Sequence, residues 1–171
     1  ILKHSQRPKT IEVTAFEIDP VIRGYLEETL NICRTQCREV GVDFSAVIVP
    51  EDFILYTRHR FENILFDNAL RTYTHAILNP PYKKIAADSD QRTALSALGI
   101  ETGNLYSAFV ALALKWLEPH GELVAITPRS FCNGLYFKPF RRYLFEHSAL
   151  RKVHVFERRD QAFSDDEVLQ E

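Results

Sequence analysis

The chain has 171 residues, 46% of them hydrophobic and 26% charged, which suits one soluble globular domain with enough length to bury a core. No apolar run reaches the length of a membrane span and no secretory signal opens the sequence, so neither a membrane protein nor an exported one is expected. A net charge of −2 argues against a nucleic-acid binder that works by electrostatics alone.

In chain order, strand-like and helix-like segments alternate, which is the pattern of an α/β sheet. Residues 11–19 read as a strand. Asp19-Pro20 then reads as a helix start, a capping Asp followed by Pro at the first helical position. Ile22, Leu26, Leu30, Cys33, Cys37 and Val40 recur at helical spacing, and Gly41 supplies the stop. A second strand follows over 44–49. Residues 53–73 are ambiguous, a loop with one short helix. Residues 74–78 read as a third, buried strand that runs into Asn79-Pro80-Pro81-Tyr82. The polar, weakly periodic stretch 83–103 is expected to be a long mobile loop. Leu105, Phe109, Leu112, Ala113 and Trp116 then mark an amphipathic helix ended by Pro119 and Gly121. A fourth strand is expected over 123–126, a helix over 136–146, and a fifth strand around Val153 and Val155. Right-handed crossovers make the sheet mostly parallel.

The remaining polar features have ordinary readings. Cys33, Cys37 and Cys132 are an odd count with no metal spacing, and the histidines are scattered. Reduced thiols in a cytoplasmic protein, without a structural or catalytic metal, are expected. Lys138, Arg141, Arg142, Arg151, Lys152, Arg158 and Arg159 face only Glu146 and Glu157 in their stretch. A basic stretch of this kind is usually a solvated helix face and by itself is weak evidence for DNA contact.

The chemistry lies in Asn79-Pro80-Pro81-Tyr82, because open parallel sheets bind ligands at the carboxyl ends of their strands. An exocyclic amino nitrogen is a poor nucleophile while its lone pair is delocalised into the ring. Two acceptors aimed at its two N–H groups favour a more tetrahedral nitrogen with the lone pair freed. The Asn79 side-chain oxygen can be one acceptor and the Pro80 carbonyl the other, pre-aimed by consecutive prolines. Tyr82 offers a ring on which a flat heterocycle stacks. A base brought there from a duplex must first leave its stack. At the end of the first strand, Glu17 is placed to accept hydrogen bonds from ribose hydroxyls.

On these residues the chain resembles the amino methyltransferases with an Asn-Pro-Pro-Tyr motif, and among them the DNA adenine-N6 methylases of bacterial restriction–modification systems. The resemblance implies a Rossmann-like methyltransferase fold, S-adenosylmethionine as cofactor, and double-stranded DNA with a flipped adenine as substrate. It implies that Glu17 binds the cofactor ribose and that Ile18 packs on the cofactor adenine. Asp52 would accept from the amino group of that adenine and Phe53 would pack on its ring. Phe109 matches an aromatic that closes over the cofactor, although it fits a core stripe equally well. Phe163, in Gln161-Ala162-Phe163, matches one that stacks on the flipped base. Asp19 is only a helix cap.

One departure from the family pattern matters. The Gly-rich loop that cradles the methionine part of the cofactor is not present, since none of the six glycines forms Gly-x-Gly. With Ile1 rather than Met at its start, the chain is expected to be a catalytic-domain fragment over 1–171. That fragment would lack the first strand, its helix and the target-recognition domain, and would be inactive alone. A nuclease and a specificity domain, fused or as partners, fit the same picture. Two other readings compete: a methyltransferase acting on protein glutamine or on guanine in ribosomal RNA, and a non-catalytic DNA-binding module on a degenerate methylase fold.

Overall fold

Alternating side chains in Thr10–Phe16 (β1) and Asp43–Val49 (β2) put both segments into strands, joined by the long helix Pro20–Glu39 (α1). The computed structural model describes residues 6–63 and 72–156, and the chain divides into two compact units at 56/57, within the helix Phe53–Glu62 (α2). In the first unit β1 and β2 run parallel, in register from Thr10 opposite Asp43 to Phe16 opposite Val49. The start of α1 follows from Asp19, whose Oδ1 accepts the N–H groups of Val21 at 2.8 Å and Ile22 at 3.2 Å. That cap ends the strand at Phe16, earlier than the pattern over 11–19 suggests, although the Glu17 N–H still reaches the Val49 carbonyl at 3.3 Å. Gly41 turns the chain out of the helix at φ +73°, a conformation that favours glycine.

The second unit contains Tyr73–Leu78 (β3), Asp90–Ala97 (α3), Leu105–Trp116 (α4), Leu117–Ala125 (β4), a short 3₁₀ turn at Arg129–Cys132, and Lys138–His147 (α5). β3 and β4 are parallel, with His75 opposite Glu122 and Leu78 opposite Ala125, and the Ile126 N–H extends the ladder to the Leu78 carbonyl at 3.0 Å. Further back, Tyr73 faces Leu117, so Glu118 to Gly121 loop out opposite Thr74. His120 there takes φ 69°, and a Cβ on Gly121 would stand 3.1 Å from the Thr74 carbonyl oxygen. Pro119 and Gly121 therefore interrupt a strand, and α4 has already ended at Trp116.

α4 is buried on nearly every face, from Tyr106 to Trp116, rather than amphipathic. The Trp116 indole N–H donates to the Thr57 hydroxyl at 3.0 Å, with both residues buried, and Phe61 meets the indole edge-on at 5.5 Å.

The third strand, expected to be buried, is half-exposed, with Ile77 84% exposed among the described residues, and two further expectations need correction. The stretch 83–103 is not a loose loop. Ser89 caps α3 by accepting the Arg92 N–H at 3.2 Å, Ala94 and Leu95 are fully buried, and Gly99 closes the helix at φ +72°. Both ends are tied to one another: Lys84 and Asn104 form an antiparallel bridge, the Ile85 N–H donates to the Gly103 carbonyl at 2.7 Å, and the Leu105 N–H donates to the Lys83 carbonyl at 2.8 Å. The Arg92 guanidinium also donates to the Thr102 carbonyl. The second correction concerns Val153 and Val155, which are exposed in an extended stretch that is not a strand. Alternating apolar residues make a strand only where a neighbour supplies the ladder, and among the described residues none pairs with this one. The observed sheets are thus two parallel pairs, β1–β2 and β3–β4.

No described helix is long and apolar enough to cross a membrane. All three cysteines are free, and among the described residues no group of three His, Cys, Asp or Glu could hold a metal.

Candidate active site

Parallel pairing places the chain's chemically informative residues at carboxyl strand ends. In the first unit Glu17 follows β1 and Asp52 follows β2. In the second, Asn79 follows β3 and Ile126 follows β4.

Glu17 is half-buried, and its Oε1 accepts the Asp19 N–H at 2.8 Å, which holds the carboxylate close to the backbone. Beside it Ile18 is 63% exposed. A fixed carboxylate next to an uncovered aliphatic side chain fits the ribose and base of an adenosine group. Asp52 is engaged locally, since its Oδ1 accepts the N–H groups of Ile54 at 2.8 Å and Leu55 at 3.0 Å at the start of α2. Phe53 is only 8% exposed and packs on Phe16 with ring centroids 4.7 Å apart, so most of its ring belongs to the core of the first unit. Glu17 and Ile18 are therefore more open at this strand end than the Phe53 ring.

The second unit assembles its site through distant partners. Pro80 is buried while Asn79, Pro81 and Tyr82 are exposed. The Tyr82 hydroxyl lies 3.3 Å from Asn79 Oδ1 and 3.3 Å from the Ile126 carbonyl oxygen. With a single proton it donates to one of these at a time. Its ring stands edge-on to Tyr106 at 6.3 Å. Tyr106, buried in the first turn of α4, shares a hydrogen bond of 3.0 Å with Ser130 Oγ in the turn after β4. Burial raises the phenol pKa of Tyr106, and its hydrogen bonds to Ser130 and Asn104 offset part of that rise. The motif after β3, the start of α4 and the turn after β4 thus form one connected set.

Phe109 is half-buried on α4. Phe163 lies outside the described residues. Tyr106, Ser130 and the Ile126 carbonyl were not singled out by the sequence. Tyr106 stands in the run containing Phe109, and only tertiary contact distinguishes the two. A cleft of about 420 Å³ opens between α3 and α5, lined by Glu101, Lys138, Arg142 and Tyr143 among others, and Asn79 takes no part in it.

Residues 44–163 match the family described as Eco57I restriction-modification methylase. The chain is 48% identical over 163 residues to the Type II methyltransferase M.PstI of Providencia stuartii, covering 95% of this chain and 32% of that protein. It is 46% identical over 157 residues to the Type II methyltransferase M.BsuBI of Bacillus subtilis, covering 91% of this chain and 30% of that protein. The chain therefore spans about a third of the length of the curated relatives it matches.

Proposed function

The chain belongs to the Eco57I restriction-modification methylase family, and from that premise we propose that the full-length protein methylates the N6 amino group of adenine in double-stranded DNA. The observation that carries this reading is the position of Asn79-Pro80-Pro81-Tyr82 at the carboxyl end of a parallel strand, with Tyr82 braced by Asn79, Ile126 and Tyr106.

S-adenosylmethionine, the proposed cofactor, supplies an electrophilic methyl group on a sulfonium centre. Glu17 and Ile18 are the residues that suit its adenosine part, with Asp52 at the neighbouring strand end, Phe53 backing that end from the core, and Phe109 a further candidate. The Asn79 amide oxygen accepts one N–H of the adenine amino group and the Pro80 carbonyl accepts the other, which localises the nitrogen lone pair. Asn79 Oδ1 has two lone pairs, and the Tyr82 hydroxyl can direct its hydrogen bond to the Ile126 carbonyl when the base arrives, so the acceptor need not compete with its own neighbour. The exposed Tyr82 ring offers a stacking face, with Phe163 the candidate for the other. Transfer then depends on positioning and on acceptor electrostatics, without a covalent enzyme intermediate. Reaching the amino group requires the adenine to leave the duplex. Action on DNA places the protein in the bacterial cytoplasm, with a restriction nuclease as its functional counterpart.

Nucleoside mass spectrometry of DNA from cells expressing the full-length protein tests the reading. N6-methyladenine should appear, and it should be lost in Asn79→Ala. Unmodified DNA together with methylated protein glutamine or ribosomal RNA would favour the competing amino methyltransferase reading. No methylation anywhere would favour a DNA-binding module.

A further inference from the structure

The segment that leaves β4 runs along the same strand edge as Asn79, because β3 and β4 are parallel. From Ile126 to Phe145 it contains no Asp or Glu and carries Arg129, Lys138, Arg141 and Arg142, the last paired with Glu146 at 2.7 Å. The segment leaving β3 is similar, with Lys83 and Lys84 and no acid before Asp88. In a chain of net charge −2, both segments at this edge are cationic, which suits a phosphate backbone.

Inside this cationic frame, Leu135 is 84% exposed. The backbone that carries it is firmly held. Arg141 Nη1 donates to the carbonyls of Phe131 at 2.9 Å and Asn133 at 3.0 Å, and its Nη2 donates to the Gly134 carbonyl at 2.6 Å. Gly134 makes the turn at φ +75°. On the other side, Tyr136 covers Gly103 so closely that a Cβ there would collide with its hydroxyl, and Phe137 is buried against Tyr106 with centroids 5.6 Å apart. On this pinned turn the described residues leave the Leu135 side chain largely uncovered. It gains a great deal if an apolar surface comes to it.

We propose that Leu135 is a wedge that enters the DNA duplex and occupies the space left in the base stack when the target adenine is extruded. The partner is double-stranded DNA. Lys83, Lys84 and Arg129, in the segments that leave β3 and β4, would meet the phosphates, and Arg141 would keep the turn rigid so that insertion costs little ordering. Apolar side chains inserted between base steps are a general means of stabilising unstacked DNA. This inference rests on the adenine methylase reading above.

The test uses the full-length protein and two oligonucleotide duplexes, one with the target adenine paired to thymine and one with it opposite an abasic site. Leu135→Ala should lower turnover on the paired duplex roughly tenfold or more and leave it near wild type on the abasic duplex, where extrusion is already cheap. Leu135→Phe, which keeps an apolar wedge, should retain activity on the paired duplex. Equal turnover of Leu135→Ala and wild type on the paired duplex would overturn the wedge, as would an equal loss on both substrates. A wild-type protein that methylates neither duplex would overturn the functional reading itself, and the wedge with it.

Discussion

At the ends of β1 and β2 the candidate carboxylates bond to backbone N–H groups two or three residues away, Glu17 to Asp19 and Asp52 to Ile54 and Leu55. At the ends of β3 and β4 the side chains find partners across 44 residues, from Tyr82 to Ile126, and across 24, from Tyr106 to Ser130. The first arrangement is made by the chain locally and needs little tertiary support. The second exists only when the second unit is folded. On the proposed function, the cofactor end is therefore a set of local caps that a ligand must share, and the base end is a preorganised cluster.

Apart from the loss of Asn79, the largest expected effect concerns the cofactor end taken alone. None of the glycines of the 171-residue chain forms Gly-x-Gly, the loop that on the proposed function would hold the methionine part of S-adenosylmethionine. Calorimetry on this chain should find binding weaker than the full-length protein by on the order of 100-fold, about 2.7 kcal/mol. Micromolar binding would show that local caps suffice. Asp52→Ala comes next. In the full-length protein it should weaken cofactor binding before it slows chemistry, and it should lower stability by about 1 kcal/mol through loss of the α2 cap, read by denaturant unfolding. Cofactor affinity unchanged within twofold would leave Asp52 as a cap alone. Tyr82→Phe should cost less. It keeps the ring and removes one shared hydrogen bond, so steady-state turnover should fall by a few-fold, equivalent to about 1 kcal/mol.

The smallest effect lies away from both strand ends. The Tyr143 hydroxyl is buried with no hydrogen-bond partner among the described residues, and burial pushes its pKa up to about 12. An unfolded Tyr titrates near pH 10, so above about pH 10 the unfolded chain releases a proton that the folded one keeps. This contribution to stability is fully present below about pH 10 and is lost as pH rises towards 12. Tyr143→Phe should flatten that alkaline loss in thermal melts, and near neutral pH it should leave stability unchanged or raise it by up to about 1 kcal/mol.

The same contrast governs how much of the molecule could be read in advance. Asp19-Pro20, Gly41 and the strand-like runs at 11–19, 44–49 and 74–78 are local signals, and their elements form there with shifts at the ends, although β3 is not buried. α3 was also signalled, by Ser89 with Asp90 behind it and by Ala94, Leu95 and Leu98 before Gly99, but the polar residues around them obscured the period. The bulge from Glu118 to Gly121 was misread because Pro and Gly mark a helix stop and a strand interruption equally well. At the candidate site, Asn79 and Tyr82 stand out in the sequence by their chemistry. Tyr106 and Ser130 do not, because nothing local distinguishes a buried Tyr that braces a site from one that fills a core. For Phe53 the first unit's packing accounts for most of the ring, which the motif alone does not reveal.

The central claim is that Asn79 addresses the base and not the cofactor. Turnover on adenine-containing duplex and S-adenosylmethionine affinity, measured side by side on full-length wild type and Asn79→Ala, test it most directly. The account predicts a fall in turnover on the order of 10²- to 10³-fold, the scale of losing one preorganised polar contact to the reacting group, with cofactor affinity held within a few-fold. Near-normal turnover in Asn79→Ala, or a loss of cofactor affinity as large as the loss of turnover, would contradict it.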